Sequence, residues 1–522
     1  MRGSLKRIGA IVRTDFLVRF RRVSTVVVFL LLSAFAYVWI PAPSTGRTLI
    51  QINGHRAIYN SGAIGMGTAS LGMIFVGLFG FYVISNAVRR DVVSRCGLVV
   101  ASTPMRSGEY LLGKFLGNVF FLVTFLGGFM LTSMAMLIVR GEAAIEPLVF
   151  LEQYLLLTPA SIVFVSAVAV LFESIPFLSG KIGDVAYFFL WLGAAGLVVG
   201  DVASHRRIGW ARYIDFTGFG FMFDQLTRTL HTSSVAIGAS PFDPKKATIV
   251  FSGLTLPGAW VLPRIVSTLA PLALLPLAVL CFHRFDPVRT GRASEKSNRN
   301  WIGRLQHLFK PISRRVVGLL LRPAGGGSFL AAMWSDAVLT FTLYPLALVA
   351  FVAVTVATFC APLAGVMPIV FVALAIVVSD VATRDVRANT LASLHAAPHL
   401  RETFVWWKLG ATLLLSLFWC AAAIVRMALL GPGPLVALLG GIVFVAAVAT
   451  SLGAITANSK TFIVLFLSFW YLVVNDRGAN RWMDFAGFYG RANMATLVAY
   501  AAISALAIGL AQILYRARLE RA

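Results

Sequence analysis

The chain has 522 residues, of which 58% are hydrophobic and only 13% are charged. A soluble protein of this length would carry about a quarter charged residues, so the composition excludes an ordinary globular protein and indicates a polytopic membrane protein. The net charge of +24 does not indicate nucleic-acid binding, because inner-membrane proteins collect Lys and Arg on their cytoplasmic side.

The apolar segments are unbroken and about twenty residues long, which is typical of transmembrane helices and not of barrel strands. The sequence therefore predicts an all-α polytopic membrane protein with about twelve transmembrane helices and no cleavable signal peptide. The spans predicted in the first half are 23–40, 64–88, 114–139, 149–172, 183–200 and 259–282. Those predicted in the second half are 338–360, 364–383, 408–429, 435–456, 461–475 and 495–517.

Each half begins with a basic amphipathic segment. Residues 1–22 place apolar side chains at helical spacing among Lys and Arg, which predicts a helix lying along the inner membrane surface. Residues 301–321 show the same pattern, and the polar, basic residues 284–300 before them are typical of a connector. The predicted domains are a first six-span domain (1–282), a cytoplasmic linker with an interfacial helix (283–327) and a second six-span domain (328–522).

Two polar loops between predicted spans, 89–114 and 384–408, share a set of landmarks. In the first loop, Arg90-Asp91 is followed by Pro104 thirteen residues after the aspartate, and by Lys114 ten residues after the proline. The same landmarks recur 294 residues later as Arg384-Asp385, Pro398 and Lys408. A loop repeated at a constant offset predicts a duplicated membrane domain with two parallel six-helix repeats.

Shorter matches extend the repeat beyond the loops. The matching segments are Ser179-Gly180-Lys181 with Asn458-Ser459-Lys460, Trp191 with Trp470, and Asp215–Phe219 with Asp484–Phe488. The offset between matching positions falls along the chain. The first half is therefore expected to carry insertions, in its longer outer segments 41–63 and 201–258.

Orientation follows from the distribution of basic residues. With both termini inside, the cytoplasmic segments hold 31 of the 45 Lys and Arg. Because Lys and Arg accumulate on the cytoplasmic side, both termini and both repeated loops are predicted to be cytoplasmic. The expected location is the bacterial inner (plasma) membrane, as a multi-pass protein.

Two motifs that suggest ligand binding are rejected. Residues 108–115 nearly match the phosphate-binding loop, but Phe115 replaces the hydroxyl that would hold magnesium, and no strand precedes the segment. His395, His399 and Glu402 have suggestive spacing for a metal, yet the first half offers no ligand at the matching positions. We therefore predict no ATP site and no metal site in this chain, and no catalytic constellation stands out.

Polar residues within or near the spans are candidates for a substrate pathway, because such residues are costly in a membrane. Glu152 and Gln153, near the outer end of the fourth span, are the first of these. Glu173 and Asp184 flank an inner loop, and Asp380 aligns with Asn86 just before the repeated loop. For each of them a paired structural role is the alternative.

The loop residues and the overall plan resemble the membrane subunits of type-2 ABC exporters. That family has an interfacial helix and six spans in each half, and a cytoplasmic loop that reads like RD, a Pro-containing turn and YLLGK. Here the last motif is Tyr110-Leu111-Leu112-Gly113-Lys114. The second loop departs from it, since Thr403 and Trp407 stand where the first has Glu109 and Gly113.

The resemblance implies a transport permease that is not itself an enzyme. Two copies of a separate ABC ATPase subunit would dock on the two loops and carry the ATP and Mg, while this chain binds no cofactor. The exported substrate would be amphipathic or hydrophobic, and membrane lipids would surround the protein. Two alternatives stay open: an ATP-independent secondary transporter, which needs ion-coupling groups at mid-membrane, and a polytopic membrane enzyme, which needs a catalytic constellation.

Overall fold

The computed structural model describes residues 2–21, 29, 36–37, 39–203, 209–230, 235–282, 285, 315, 317–321, 328–344, 346–388, 390–396 and 398–521. The structure is mostly helical (77%). It divides into two compact units, unit 1 (Met1–Ala293) and unit 2 (Ser294–Ala522).

Unit 1 is a helical unit with one small sheet. Its helices are α1 (Arg2–Phe20), α2 (Ser61–Phe75), α3 (Phe81–Ile84), α4 (Ala87–Val93), α5 (Cys96–Ser102), α6 (Ser107–Arg140), α7 (Pro147–Leu157), α8 (Pro159–Ser174), α9 (Lys181–Ala203), α10 (Phe219–Leu230), α11 (Gly258–Leu269) and α12 (Leu274–Cys281). A π turn, Val76–Gly80, joins α2 to α3. The helix predicted within 1–22 is thus present as α1.

Unit 2 consists of helices joined by turns, with no strand among its described residues. Its helices are α13 (Phe329–Leu343), α14 (Leu346–Cys360), α15 (Leu363–Val378), α16 (Arg384–Ala388), α17 (Leu391–His395), α18 (Pro398–Trp419), α19 (Ala421–Leu430), α20 (Pro432–Thr456), α21 (Ser459–Asp476) and α22 (Met494–Arg521). Most of the amphipathic helix predicted at 301–321 lies outside the described residues.

The protein is a multi-pass membrane protein. Within the described ranges, eight helices are long and apolar enough to span a membrane, and ten if each of two bent helix pairs is one span. Twelve spans were expected. The first predicted span, 23–40, lies largely outside the described residues. The predicted span 461–475 forms α21, whose polar ends Ser459-Lys460 and Asn475-Asp476 leave too short an apolar stretch for it to be among the eight.

Two predicted spans are broken. α13 and α14 are bent by 97° across Tyr344, within the predicted span 338–360. Tyr344 precedes Pro345 in the sequence, and the residue before a proline is disfavoured in a helix. The chain bends by 65° between Trp419 and Ala421, within the predicted span 408–429. The first of these bends makes α13 a separate helix, which packs against α18.

A three-stranded antiparallel sheet in unit 1 departs from the all-α expectation. Strand β1 (Arg47–Ile52) lies between β2 (His55–Arg56) and β3 (Val235–Pro241). The β1–β2 turn is Asn53-Gly54, and both residues have positive φ, 50° and 84°, as a tight hairpin requires. We call residues 43–59 and 235–257 the β-cap. It lies at the N-terminal end of α2, opposite the loop that follows α3.

α1 lies along the first turns of α6, where glycines allow close approach. A Cβ on Gly113 would lie 2.9 Å from the Ile11 side chain, so a larger residue there would push α1 away. Below this contact a buried apolar cluster, including Tyr110, Phe115 and Val170, fills the space between α6 and α8. The polar loop of unit 1 is therefore built on a packed base.

Candidate functional site

The first polar loop (loop 1, residues 89–114) is folded into two short helices, α4 and α5, before α6 begins. Glu173 of α8 accepts hydrogen bonds from the backbone N–H groups of Ala87 (3.1 Å) and Val88 (2.5 Å). A carboxylate at this position satisfies N–H groups that a helix start leaves unpaired and interacts favourably with the helix dipole. Glu173, a pathway candidate from the sequence, thus has a structural role at the base of loop 1.

Four residues singled out from the sequence meet in loop 1. Lys114 Nζ lies 2.8 Å from Asp91 Oδ2, and the Tyr110 hydroxyl donates to the same carboxylate at 2.7 Å. Arg90 lies beside Asp91, with Nε 3.7 Å from Oδ1. Arg90, Asp91, Tyr110 and Lys114, although spread over 25 residues of sequence, therefore form one interaction network.

The network contains a residue that the sequence did not single out, Asp15 of α1. Asp15 Oδ1 lies 3.0 Å from Lys114 Nζ and is ion-paired with Arg90, while its Oδ2 lies 2.6 Å from Arg19 Nη2. The only available signal was that Asp15 is the sole acidic residue among the first twenty-two. We call Asp15, Arg19, Arg90, Asp91 and Lys114 cluster 1; it ties loop 1 to α1.

Electrostatics within cluster 1 keep Asp15 ionised. Burial alone would raise the pKa of the Asp15 carboxyl, but the positive charges of Arg19, Lys114 and Arg90 outweigh burial and bring its pKa below the ordinary value. A buried charge is tolerated when it is paired in this way.

A second contact between α1 and loop 1 lies at the start of α6. Arg7 makes a two-point ion pair with Glu109, at 2.8 Å and 3.1 Å. Glu109 also accepts from the backbone N–H of Arg106, which is the N-cap residue of α6. Ser107 is the first residue of the helix itself. Pro104 lies in the turn between α5 and α6 and begins no helix, whereas Pro398 is the first residue of α18.

The second polar loop (loop 2, residues 384–408) is also braced by a network of ion pairs. Lys408 Nζ lies 2.6 Å from Asp385 Oδ2 and 2.8 Å from Asp336 Oδ2 of α13. Arg384 Nη1 lies 3.3 Å from Asp336 Oδ1, and Nη2 lies 3.5 Å from Asp380. We call Asp336, Asp380, Arg384, Asp385 and Lys408 cluster 2. The two units share one arrangement. In each, the Arg-Asp pair of the loop contacts a lysine on the long helix that follows, α6 or α18. It also contacts an aspartate on an earlier helix, α1 or α13.

The two clusters differ in charge. Cluster 1 contains three cations and two carboxylates, whereas cluster 2 contains two cations and three carboxylates. Their formal charges are therefore +1 and −1. Thr340 stands four residues after Asp336, as Arg19 stands four residues after Asp15, so a threonine takes the place of an arginine in unit 2. The Thr340 hydroxyl accepts a hydrogen bond from Arg384. Asp380, predicted to align with Asn86, is held by the Tyr344 hydroxyl at 2.7 Å.

Loop 1 has two distinct faces on α5. Gly97 is buried against the Phe285 ring, and a Cβ there would lie 2.3 Å from it; Val100 and Ala101 pack on the apolar base. On the other face Leu98 and Val99 are exposed, with Val99 at 67%. Within the part of the chain that the structure describes, nothing covers Leu98 and Val99.

The candidates near the β-cap have structural surroundings. Gln153 is buried, and its side-chain amide makes two hydrogen bonds to the backbone of Leu254, at 2.7 Å and 3.2 Å. Glu152, the next residue back, is exposed. The geometry favours a role for Gln153 in holding the β-cap against α7.

Asp184, another pathway candidate from the sequence, is buried near the start of α9, and its backbone carbonyl accepts a hydrogen bond from the Tyr82 hydroxyl at 2.8 Å.

The repeated Asp-Phe-x-Gly-Phe segments organise turns. The Asp215 carboxylate accepts from the N–H of Phe221 at 2.8 Å, at the start of α10. The Asp484 carboxylate accepts from the N–H groups of Arg491 (2.7 Å) and Ala492 (3.2 Å). Both aspartates are fully buried, so each is required locally as an acceptor of backbone hydrogen bonds.

Metal ligands are not assembled in the part of the chain that the structure describes, where no group of three His, Cys, Asp or Glu side chains could hold an ion. The side chains of His395 and His399 lie outside that part. No family model matches this chain, and neither a curated protein nor a solved structure matches it.

Proposed function

We propose that this chain is the membrane permease of an ATP-driven ABC exporter, with two six-span halves in one polypeptide. Separate ATPase subunits would dock on loops 1 and 2 and carry the ATP and Mg, and the chain itself would bind no cofactor. The family resemblance suggests this assignment, and the construction of the loops supports it.

The observation that carries the proposal is the two-faced helix α5 on a braced loop. Leu98 and Val99 are exposed while the opposite face is packed, and cluster 1 ties the loop to α1 and α6. An exposed apolar patch on a rigid support is typical of a protein-binding surface. A docked subunit could move loop 1, α1 and α6 together, because ion pairs connect all three.

Cluster 2 supports two docking sites instead of one. Loop 2 is attached to α13 and α18 by the same types of residue, and its lysine is buried. Equivalent braces at both loops are what two copies of one ATPase would require. We therefore expect one permease chain and two ATPase chains per complex, with both loops on the cytoplasmic side of a bacterial inner membrane.

The alternative functions receive no such support. A secondary transporter needs ionisable groups within its helical spans for ion coupling. The charges of clusters 1 and 2 are instead paired with one another within each cluster. Arg264 in α11 is held by the backbone carbonyl of Leu156 at 2.6 Å and lies 3.9 Å from Asp215. A membrane enzyme is the weaker proposal, because it needs a catalytic constellation. The charged residues of clusters 1 and 2 and Arg264 instead bind one another or the backbone.

The docking surface can be tested with Val99→Glu. The substitution places a charge on the exposed face of α5 without touching cluster 1, so the permease should fold and purify normally. We expect co-purification of the proposed ATPase subunit to fall at least tenfold, since a buried unpaired charge at an interface costs several kcal/mol. Substrate export from membrane vesicles should fall with it.

Ile145→Glu is the matched control. Ile145 is also an exposed apolar residue, at 40%, but lies in the turn between α6 and α7. It should retain full docking. Full docking by Val99→Glu, or equal loss in both variants, would show that loop 1 is not the docking surface.

A further inference from the structure

An apolar groove runs between the α2–α3 element and α6 in unit 1. It contains about 520 Å³ of empty space, part of it open to the surroundings. Five aromatic rings dominate its wall: Phe75, Phe79, Phe121, Phe125 and Phe129. A groove with such a wall accepts an alkyl chain and offers nothing to a polar ligand.

Two positions on the α2–α3 wall of the groove are glycines, and they let side chains of α6 approach this wall closely. A Cβ on Gly72 would lie 2.6 Å from Leu126, and one on Gly80 would lie 3.2 Å from Leu122. Between them runs the π turn Val76–Gly80, a feature that occurs frequently at functional sites. The hydroxyl of Tyr187 donates to the backbone carbonyl of Gly77 and so holds the turn.

A polar group lies one helical turn beyond the aromatic wall. Asn118 precedes Phe121 on α6 and is 99% buried. Its Oδ1 accepts from Arg19 Nη2 at 2.7 Å, and its Nδ2 has no hydrogen-bond partner among the described residues. Because arginine only donates, the oxygen must face Arg19, and the free donor is the amide nitrogen.

This end of the groove is also positively charged. The Arg19 guanidinium lies 5.6 Å from the centre of the Phe121 ring and belongs to cluster 1, whose formal charge is +1. Cluster 2 has the opposite charge, so the excess of cations is a property of unit 1. An unpaired buried donor beside excess positive charge is costly unless an anionic acceptor occupies the site.

We propose that unit 1 binds a single-chain anionic amphiphile. Its alkyl chain lies in the aromatic groove, and its anionic oxygen accepts a hydrogen bond from Asn118 Nδ2 near Arg19. The site is built from unit 1 alone and does not depend on ATP or on a docked subunit. Its presence or absence is therefore separable from the transport proposal.

The test uses the purified full-length chain in phosphatidylcholine nanodiscs, without any ATPase. A palmitate analogue with a mid-chain diazirine is photo-crosslinked, and the labelled peptides are identified by mass spectrometry. We expect labelling within 121–129, competed by oleate. Oleyl alcohol, which has the same chain and no charge, should compete at least tenfold more weakly, and hexanoate should not compete.

Substitutions at Leu126 and Asn118 test separately the binding of the alkyl chain and of the anionic head group. Leu126→Trp fills the groove and should abolish labelling, whereas Gly127→Trp, at a position where a Cβ meets no atom within 4 Å, should preserve it. Asn118→Leu should weaken competition by oleate about tenfold, the usual effect of losing a hydrogen bond to a charged group, and leave competition by oleyl alcohol unchanged.

Three results would overturn the proposal: labelling that survives in a folded Leu126→Trp protein, equal loss in Gly127→Trp, or equal competition by oleate and oleyl alcohol. If Leu126→Trp fails to fold, the difference between the two competitors in Asn118→Leu decides the question. An effect of that substitution on both competitors alike would indicate a merely structural role and would also overturn it.

Discussion

Two buried lysines, Lys114 and Lys408, show how this membrane protein tolerates charge. Each lysine side chain is about 95% buried or more, and its ammonium group lies within 3.0 Å of two carboxylates from different segments. Removing water from such a group costs several kcal/mol unless partners replace it. Each lysine thus fixes the position of a loop helix and of a second helix at once.

Cluster 1 should be sensitive to the loss of one carboxylate. In Asp15→Asn three cations are left facing only Asp91, and we expect the protein to lose about 3–5 kcal/mol of stability, as for other broken buried ion pairs. Thermal unfolding of the purified chain in detergent measures this. Glu152→Gln, which neutralises an exposed carboxylate, should unfold at the wild-type temperature. Equal unfolding temperatures for all three proteins would mean that cluster 1 does not brace the fold.

Repetition made most of the site residues predictable. Arg90, Asp91 and Lys114 attract notice because the same residues recur at the same spacing in the second half. Asp15 gives no such signal, since it precedes Arg90 by 75 residues and its apolar surroundings exist only after α1 has packed on α6. Asp336 was missed for a similar reason, because its helix was assigned to the span 338–360.

The β-cap is the element that hydropathy could not predict. Its strands are short, and β1 and β3 come from segments that the sequence marked only as insertions. Asn53-Gly54 was a local hairpin signal, but the pairing of β1 with β3 depends on residues far apart in the chain. One ion pair closes the cap: Arg56 contacts Glu142 through two hydrogen bonds, both 2.7 Å long.

The cap should loosen in acid. The hydrogen bond from Arg56 holds the pKa of the Glu142 carboxyl below its ordinary value of 4.5, although partial burial opposes this. Since the pKa is lowered in the folded state, the stabilisation is present above about pH 4.5 and is lost as the pH falls through the folded-state pKa.

The Tyr59 amide, which donates to Glu142 at 3.1 Å, reports this change. Its hydrogen-exchange protection factor should fall between pH 6 and pH 3, whereas Glu142→Gln should show the lower value at both. A pH-independent protection factor in the wild type would contradict the assignment.

At the scale of the whole molecule, hydropathy predicted the long helices but not their breaks. The apolar segments 338–360 and 408–429 continue through bends of 97° and 65°, because an apolar run carries no information about direction. The consequence is substantial for the first of them, since α13 is thereby free to bring Asp336 to Lys408. Part of α13 was assigned to a span, but the helix instead supplies the Asp336 carboxylate that braces loop 2.

The transport proposal requires both loops to lie on one side of the membrane. Single cysteines at Ser102 and Ala396, both exposed, test this in a background where all four native cysteines, of which Cys96 and Cys360 are exposed, are replaced by serine. An impermeant maleimide should label both only in inside-out vesicles. Ile145→Cys, at the other end of α6, should be labelled from the outside. Labelling of the two loop positions from opposite sides would rule out parallel halves.

The pairing of β1 with β3 also has a consequence in time. Ile52 pairs with Val235, so the ribosome must add more than 180 residues before the central strand acquires its second neighbour. At 5–20 residues per second this takes roughly 10–40 s, and a lone two-stranded hairpin is only marginally stable. The sheet can therefore close only after most of unit 1 has been synthesised, which makes its closure a late step in the biogenesis of this half.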